Sequence, residues 1–67
     1  MNEKELLGAK ITNARKSANV SQLELAEMVG IQQSHLSRIE NGRYMPRVDI
    51  VARIADALGC KIDDLVK

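Results

Sequence analysis

Apolar residues recur every three or four positions along most of the chain, and breaks carrying glycine or proline cut the pattern into short helices. Between Ser21 and Gly42 the pattern predicts two helices joined by a tight turn. Ser21 followed three residues later by Glu24 is a capping box: the serine hydroxyl accepts the backbone N–H of Glu24, and the glutamate accepts the serine's own N–H. Val20 before it and Leu25 after it complete a hydrophobic staple, which specifies this helix start. Leu25, Ala26 and Val29 follow at helical spacing, and Gly30 ends the run where a left-handed residue is needed. The next helix covers about residues 33–41. Leu36 and Ile39 are its inward pair and Gly42 is its stop, while Gln33, Ser34, Ser37, Arg38 and Asn41 fall together on the opposite face.

Upstream, residues from about 6 to 18 predict a first helix with Leu7, Ile11, Ala14, Arg15 and Ala18 on one stripe. Gly8 within it costs roughly 1 kcal/mol against Ala, which suggests close helix packing. Asn19 is suited to close that helix in the left-handed conformation. Arg15 is out of place, because an unpaired charge on an apolar stripe is expensive. It requires a carboxylate, and Glu40 at the end of the third helix is the expected partner. Downstream, Pro46 pushes Met45 away from helical geometry. A fourth helix begins at Val48 or Asp49, buries Val51, Ile54, Ala55 and Leu58, and stops at Gly59. A last short helix covers about residues 62–66, with Asp63 and Asp64 in its first turn. There is no strand pattern, repeat or linker. The expected fold is all-α, a compact bundle of five short helices forming one domain over residues 1–67.

Composition narrows the chemistry. A chain of 67 residues buries only about 60% of the surface its unfolded form exposes, so its stability is modest. One Cys excludes an internal disulfide, and one Cys with one His cannot complete a four-ligand zinc site, so no metal or cofactor is expected. Glu3, Lys4 and Glu5 open the chain with only a short apolar pair behind them, so no signal peptide or membrane span is expected and a cytoplasmic location fits. The net charge of +1 is a poor argument for any polyanion, but its distribution is informative. Residues 31–47 carry Arg38, Arg43 and Arg47 against Glu40 alone, whereas the charges of residues 1–30 cancel and residues 48–67 hold three basic and four acidic groups. The cationic excess therefore lies on the third helix and the loop after it, where phosphate contacts would be made.

With these residues in place, the chain resembles the phage repressor and Cro family of helix-turn-helix domains, also called the xenobiotic-response-element family. The resemblance covers roughly residues 6–66. It is carried by Ser21 and Gln22, Leu25 and Ala26, Gly30, the run from Leu36 to Gly42, Pro46, Ile54 and Ala55, and Ala57 to Gly59. It implies a lambda-repressor-like DNA-binding domain. Gln22 resembles the glutamine that grips a phosphate and props a recognition residue. Gln33, Ser34 and Arg38 match positions that reach base edges, and glutamine suits adenine while arginine suits guanine. Asn41 and Arg43 match the phosphate-binding exit of the recognition helix. Ser37 shares that surface. Gln32 stands where relatives have a Ser or Thr cap, leaving it either a poor cap or a DNA contact. Arg15 and Glu40 match a buried salt bridge.

The leading expectation is a sequence-specific regulator of transcription, a repressor that binds palindromic double-stranded DNA as a homodimer. Ile62, Leu65 and Val66 are the expected dimer surface, because apolar groups at the end of a short chain have little else to cover them. The alternative is a protein-interaction module, such as an antitoxin-like partner, which an acidic or apolar face on the second and third helices would have favoured. No enzyme is expected: paired catalytic groups, a phosphate loop and a metal set are all missing. No small-molecule ligand is expected either. His35 reads as a rim residue, Cys60 as a small core residue, and Met28 and Met45 as packing. Tyr44 fits either the core side of its loop or a phosphate.

Overall fold

Reciprocal caps set where the first two helices begin. In the computed structural model, which describes residues 1–67, Asn2 accepts the Glu5 N–H at 2.9 Å and Glu5 accepts the Asn2 N–H at 3.3 Å. The first helix, α1 (Glu3–Ser17), therefore starts three residues ahead of the expected position. Asn19, at φ 57°, closes it. At α2 (Gln22–Val29) the Ser21 hydroxyl accepts the Glu24 N–H at 3.0 Å, and the returning bond to Ser21 N is also 3.0 Å. That backbone bond, with the serine hydroxyl second, holds the Glu24 carboxyl below the usual carboxylate range. Gly30, at φ 83°, turns the chain into α3 (Gln33–Glu40), and α4 (Val48–Leu58) and α5 (Ile62–Val66) complete the fold.

Each helix contributes at least one fully buried aliphatic side chain: Ile11, Leu25, Leu36 with Ile39, Ile54 and Leu65. Burying such a residue stabilises by about 1.5–3 kcal/mol, so the five helices hold one another rather than standing alone. Ala26, 1% exposed, keeps the α2 side of the core thin. The approach of α1 to α3 is close. A Cβ on Gly8 would lie 2.5 Å from the carbonyl oxygens of both Ile39 and Glu40, so α1 rests on the backbone at the end of α3. Gly42, at φ 72°, does the same from the other side, since a Cβ there would be 2.8 Å from the Glu5 Cα. These contacts aim the third helix.

Three expectations are corrected. Leu65 is 2% exposed, a core residue and not a free surface. The reason is geometric: α5 has barely more than one turn, and its one inward position closes the core against α1 and α4. Ile62 is half-buried against the same core, which leaves Val66 exposed on this helix. Met28 and Met45 are exposed rather than packed, because α2 turns Val29 inward and the loop buries Pro46 in place of its neighbour. Ala18 also points to solvent, since α1 has ended by then. No helix is long and apolar enough to cross a membrane.

Candidate nucleic-acid interface

The outward face of α3 is fixed by what its inward face grips. Leu36 and Ile39, at 0% and 1% exposure, anchor the helix in the core. Gln33, Ser34 and Arg38 are consequently held in solvent, with Ser37 half-buried beside them. Gln32 is the N-cap residue but makes no side-chain cap bond, and it too is exposed. At the other end Asn41 Nδ2 donates to Ser37 Oγ at 3.3 Å. The Gly42 and Arg43 N–H groups donate to the Ile39 and Arg38 carbonyls at 3.2 and 2.9 Å, so the helix exit is ordered by backbone bonds. Tyr44 meets His35 edge to face, with ring centroids 4.8 Å apart, which holds this loop against the helix.

Behind that face lies a largely buried ion pair. Arg15 Nε donates to Glu40 Oε2 at 2.8 Å and Arg15 Nη2 to Oε1 at 3.1 Å, a two-pronged geometry. The third donor, Nη1, reaches the Val20 carbonyl at 3.0 Å. The side chains are 12% and 5% exposed, so the charges are compensated by each other more than by water. Glu40 Oε1 also lies 3.2 Å from the Thr12 hydroxyl, whose single proton is shared with the Gly8 carbonyl at 2.9 Å. Gln22 Nε2 donates to the same Glu40 oxygen at 3.3 Å, and Gln22 Oε1 accepts from Gln33 Nε2 at 3.4 Å. A continuous chain of polar contacts thus runs from the ion pair between α1 and the end of α3 to the first turn of α3.

The electrostatics of the face follow. Its carboxylate, Glu40, is turned inward and matched by Arg15, while Arg38 and Arg43 are exposed and have no acidic partner. Arg47 instead pairs with Asp49 at 3.3 Å, an exposed contact worth little. The structure brings together Gln22, Gln33, Ser34, Ser37, Arg38, Asn41 and Arg43 around α3, and on α5 it places Leu65 in the core and Ile62 half-buried against it. Thr12 is the member that sequence reasoning missed. Its signal was its place on the Gly8, Thr12, Arg15 row of α1, one turn from the residue already known to need a carboxylate.

Two short helices meeting at a left-handed glycine, the second anchored by an aliphatic pair and offering amides, hydroxyls and guanidinium groups outward, define a helix-turn-helix. The chain belongs to the helix-turn-helix family, whose match runs over residues 11–65. It is 45% identical over 49 residues to the ImmF control region 10 kDa protein of Bacillus phage phi105, covering 73% of this chain and 54% of that protein. Over 60 residues it is 33% identical to the immunity repressor protein of the same phage, covering 90% of this chain and 42% of the relative. The fold superposes on the DNA-binding domain of the P22 c2 repressor with a TM-score of 0.90 at 31% identity, covering 100% of this chain and 87% of that one. The P22 c2 repressor in complex with a synthetic operator gives a TM-score of 0.86 at 31% identity, over 92% and 94% of the two chains. The chain spans about half the length of the curated relatives it matches.

Proposed function

We propose that this chain is a sequence-specific double-stranded-DNA-binding regulator of transcription, a repressor that inserts α3 into the major groove. The observation that carries the reading is the outward face of α3: Gln33, Ser34 and Arg38 exposed, braced from behind, with the nearby carboxylate buried and neutralised. A helix of this size fits the major groove, where amides and guanidinium groups distinguish base pairs. Similarity to a repressor solved with its operator supports the same placement. Gln33, Ser34 and Arg38 address base edges; Gln22, Asn41 and Arg43 address phosphates; Gln32 and Ser37 flank them.

One recognition helix spans few base pairs, so two copies acting on half-sites about 34–36 Å apart supply adequate specificity. With Leu65 in the core, the surface for the second copy is the apolar rim formed by Leu6, Met45 and Val66, respectively 45%, 45% and 53% exposed. They surround a shallow cavity of about 240 Å³ floored by Leu7 and Leu65. Selection from a pool of random duplexes tests the proposal. It should enrich a two-fold symmetric sequence bound by two protomers, and failure to enrich any sequence would overturn it.

A further inference from the structure

The first turn of α1 lies against the exit of α3, which brings a carboxylate close to the residue before Arg43. A Cβ on Gly42 would be 2.8 Å from both Cα and Cγ of Glu5, which puts the stem of the Glu5 side chain within about 8 Å of the Arg43 Cα. We infer that Asn2 is a positioning residue that keeps the Glu5 carboxylate off Arg43 and so leaves that guanidinium free for phosphate; this rests on the phosphate-binding role proposed above.

Reach and charge carry the argument. Glu5 and Arg43 are both exposed, and their two side chains together are long enough to close that gap. Opposite charges so placed would ordinarily pair, yet the ion pairs of the fold are Arg15 with Glu40, Arg47 with Asp49 and Lys67 with Asp63. What holds Glu5 away is the cap. The Asn2 N–H donates to Glu5 Oε1 at 3.3 Å and the Glu5 N–H donates to Asn2 Oδ1 at 2.9 Å, so the carboxylate is tied back over the start of α1. There it also meets the positive end of the helix dipole. Removing Asn2 Oδ1 takes the shorter bond and lets the first turn fray. The bond left behind, long and exposed, is too weak to hold the side chain by itself. A released carboxylate beside Arg43 neutralises a cation that would otherwise displace a counterion from DNA. The neighbouring acids are placed otherwise: Arg15 occupies Glu40, and Glu3 lines the cavity with Met45 and Leu6.

The test is the binding of Asn2→Ala to the selected duplex and to random duplexes across a salt series, measured below its melting transition. Both affinities should fall about two- to fivefold at low salt. Their ratio should stay that of the parent, and the salt slope should fall toward that of Arg43→Ala. Adding Glu5→Gln should restore both affinities while the melting temperature stays no higher than that of Asn2→Ala, a result that a merely structural role for the cap does not allow. In free protein the Arg43 Nε–H resonance should shift in Asn2→Ala and return when Glu5→Gln is added. Parent-like binding by Asn2→Ala, no rescue by Glu5→Gln, or equal rescue by Glu3→Gln would overturn the inference. If the parent protein binds no duplex, the DNA reading fails on its own, and the Arg43 resonance still decides whether Asn2 keeps the two charges apart.

Discussion

Truncating Glu40 to alanine strands a largely buried guanidinium, and the structure says how severely. Arg15 would lose its bonds at 2.8 and 3.1 Å and keep only the one to the Val20 carbonyl at 3.0 Å. Breaking one partner of a buried pair costs about 3–5 kcal/mol. The surviving Val20 bond and the 12% exposure of Arg15 favour the lower end, about 3 kcal/mol. A domain of 67 residues holds in total only roughly 3–10 kcal/mol of stability. At about 4–8 °C per kcal/mol for a domain of this size, Glu40→Ala should lower the melting temperature by roughly 12–24 °C. Thermal melts followed by far-ultraviolet circular dichroism read this directly. The double variant Arg15→Met with Glu40→Leu isolates the cause, because it removes both charges and should recover most of the loss. A single variant melting within a few degrees of the parent, or a double variant melting as low as the single one, would refute the stranded-charge reasoning.

Four further outcomes follow from other contacts. Gly8→Ala gains about 1 kcal/mol of helix propensity but drives a Cβ to 2.5 Å from two carbonyls, an overpacking of about 1–3 kcal/mol; a lowered melting temperature is expected, and a raised one would show that α1 can retreat from α3. Arg38→Ala should cost about 1–3 kcal/mol on the selected duplex with much less loss on random DNA, while Arg43→Ala should weaken both and reduce the salt slope by about one unit; equal losses for Arg38→Ala would make it a phosphate contact. Val66→Asp should reduce the cooperativity of operator binding without lowering stability, since Val66 is 53% exposed, and unchanged two-protomer binding would remove this rim as the dimer surface. Burial first, and Asp64 second, push the Cys60 thiol up, so near pH 8 it should alkylate more slowly than a cysteine in an unfolded peptide. Because the folded value is the higher one, its contribution to stability is present below the ordinary cysteine range and is lost as pH rises through the folded value.

What the sequence revealed, and what it concealed, divides along the range of the interactions. Ser21 with Glu24, Gly30, Gly59 and the aliphatic spacing of α2 to α4 are local signals, and the helices lie where those signals put them. Asn2 with Glu5 carries the same capping chemistry, so the true start of α1 was legible by the rule that found α2. Arg15 pointed to a carboxylate because a charge on an apolar stripe needs one, and its Nε stands 2.8 Å from Glu40. The burial of Leu65 was not legible, because five residues carry too little periodicity to show which way a helix of one turn will face. Nor was the contact of Gln22 with Glu40, which joins residues 18 positions apart and depends on how α2 crosses the end of α3. Thr12 stood one turn from Arg15 and was legible to that extent, but its second acceptor was not: hydroxyls on a helix usually bond their own backbone, and only the third helix supplies Glu40.

The most direct test of the account is the affinity of the parent protein for its selected duplex and for random duplexes across a salt series. If phosphate contacts supply affinity and the α3 face supplies sequence discrimination, both affinities should fall steeply with salt while the selected duplex stays preferred throughout. A common curve for the two duplexes at every salt concentration would contradict the central claim that Gln33, Ser34 and Arg38 read sequence.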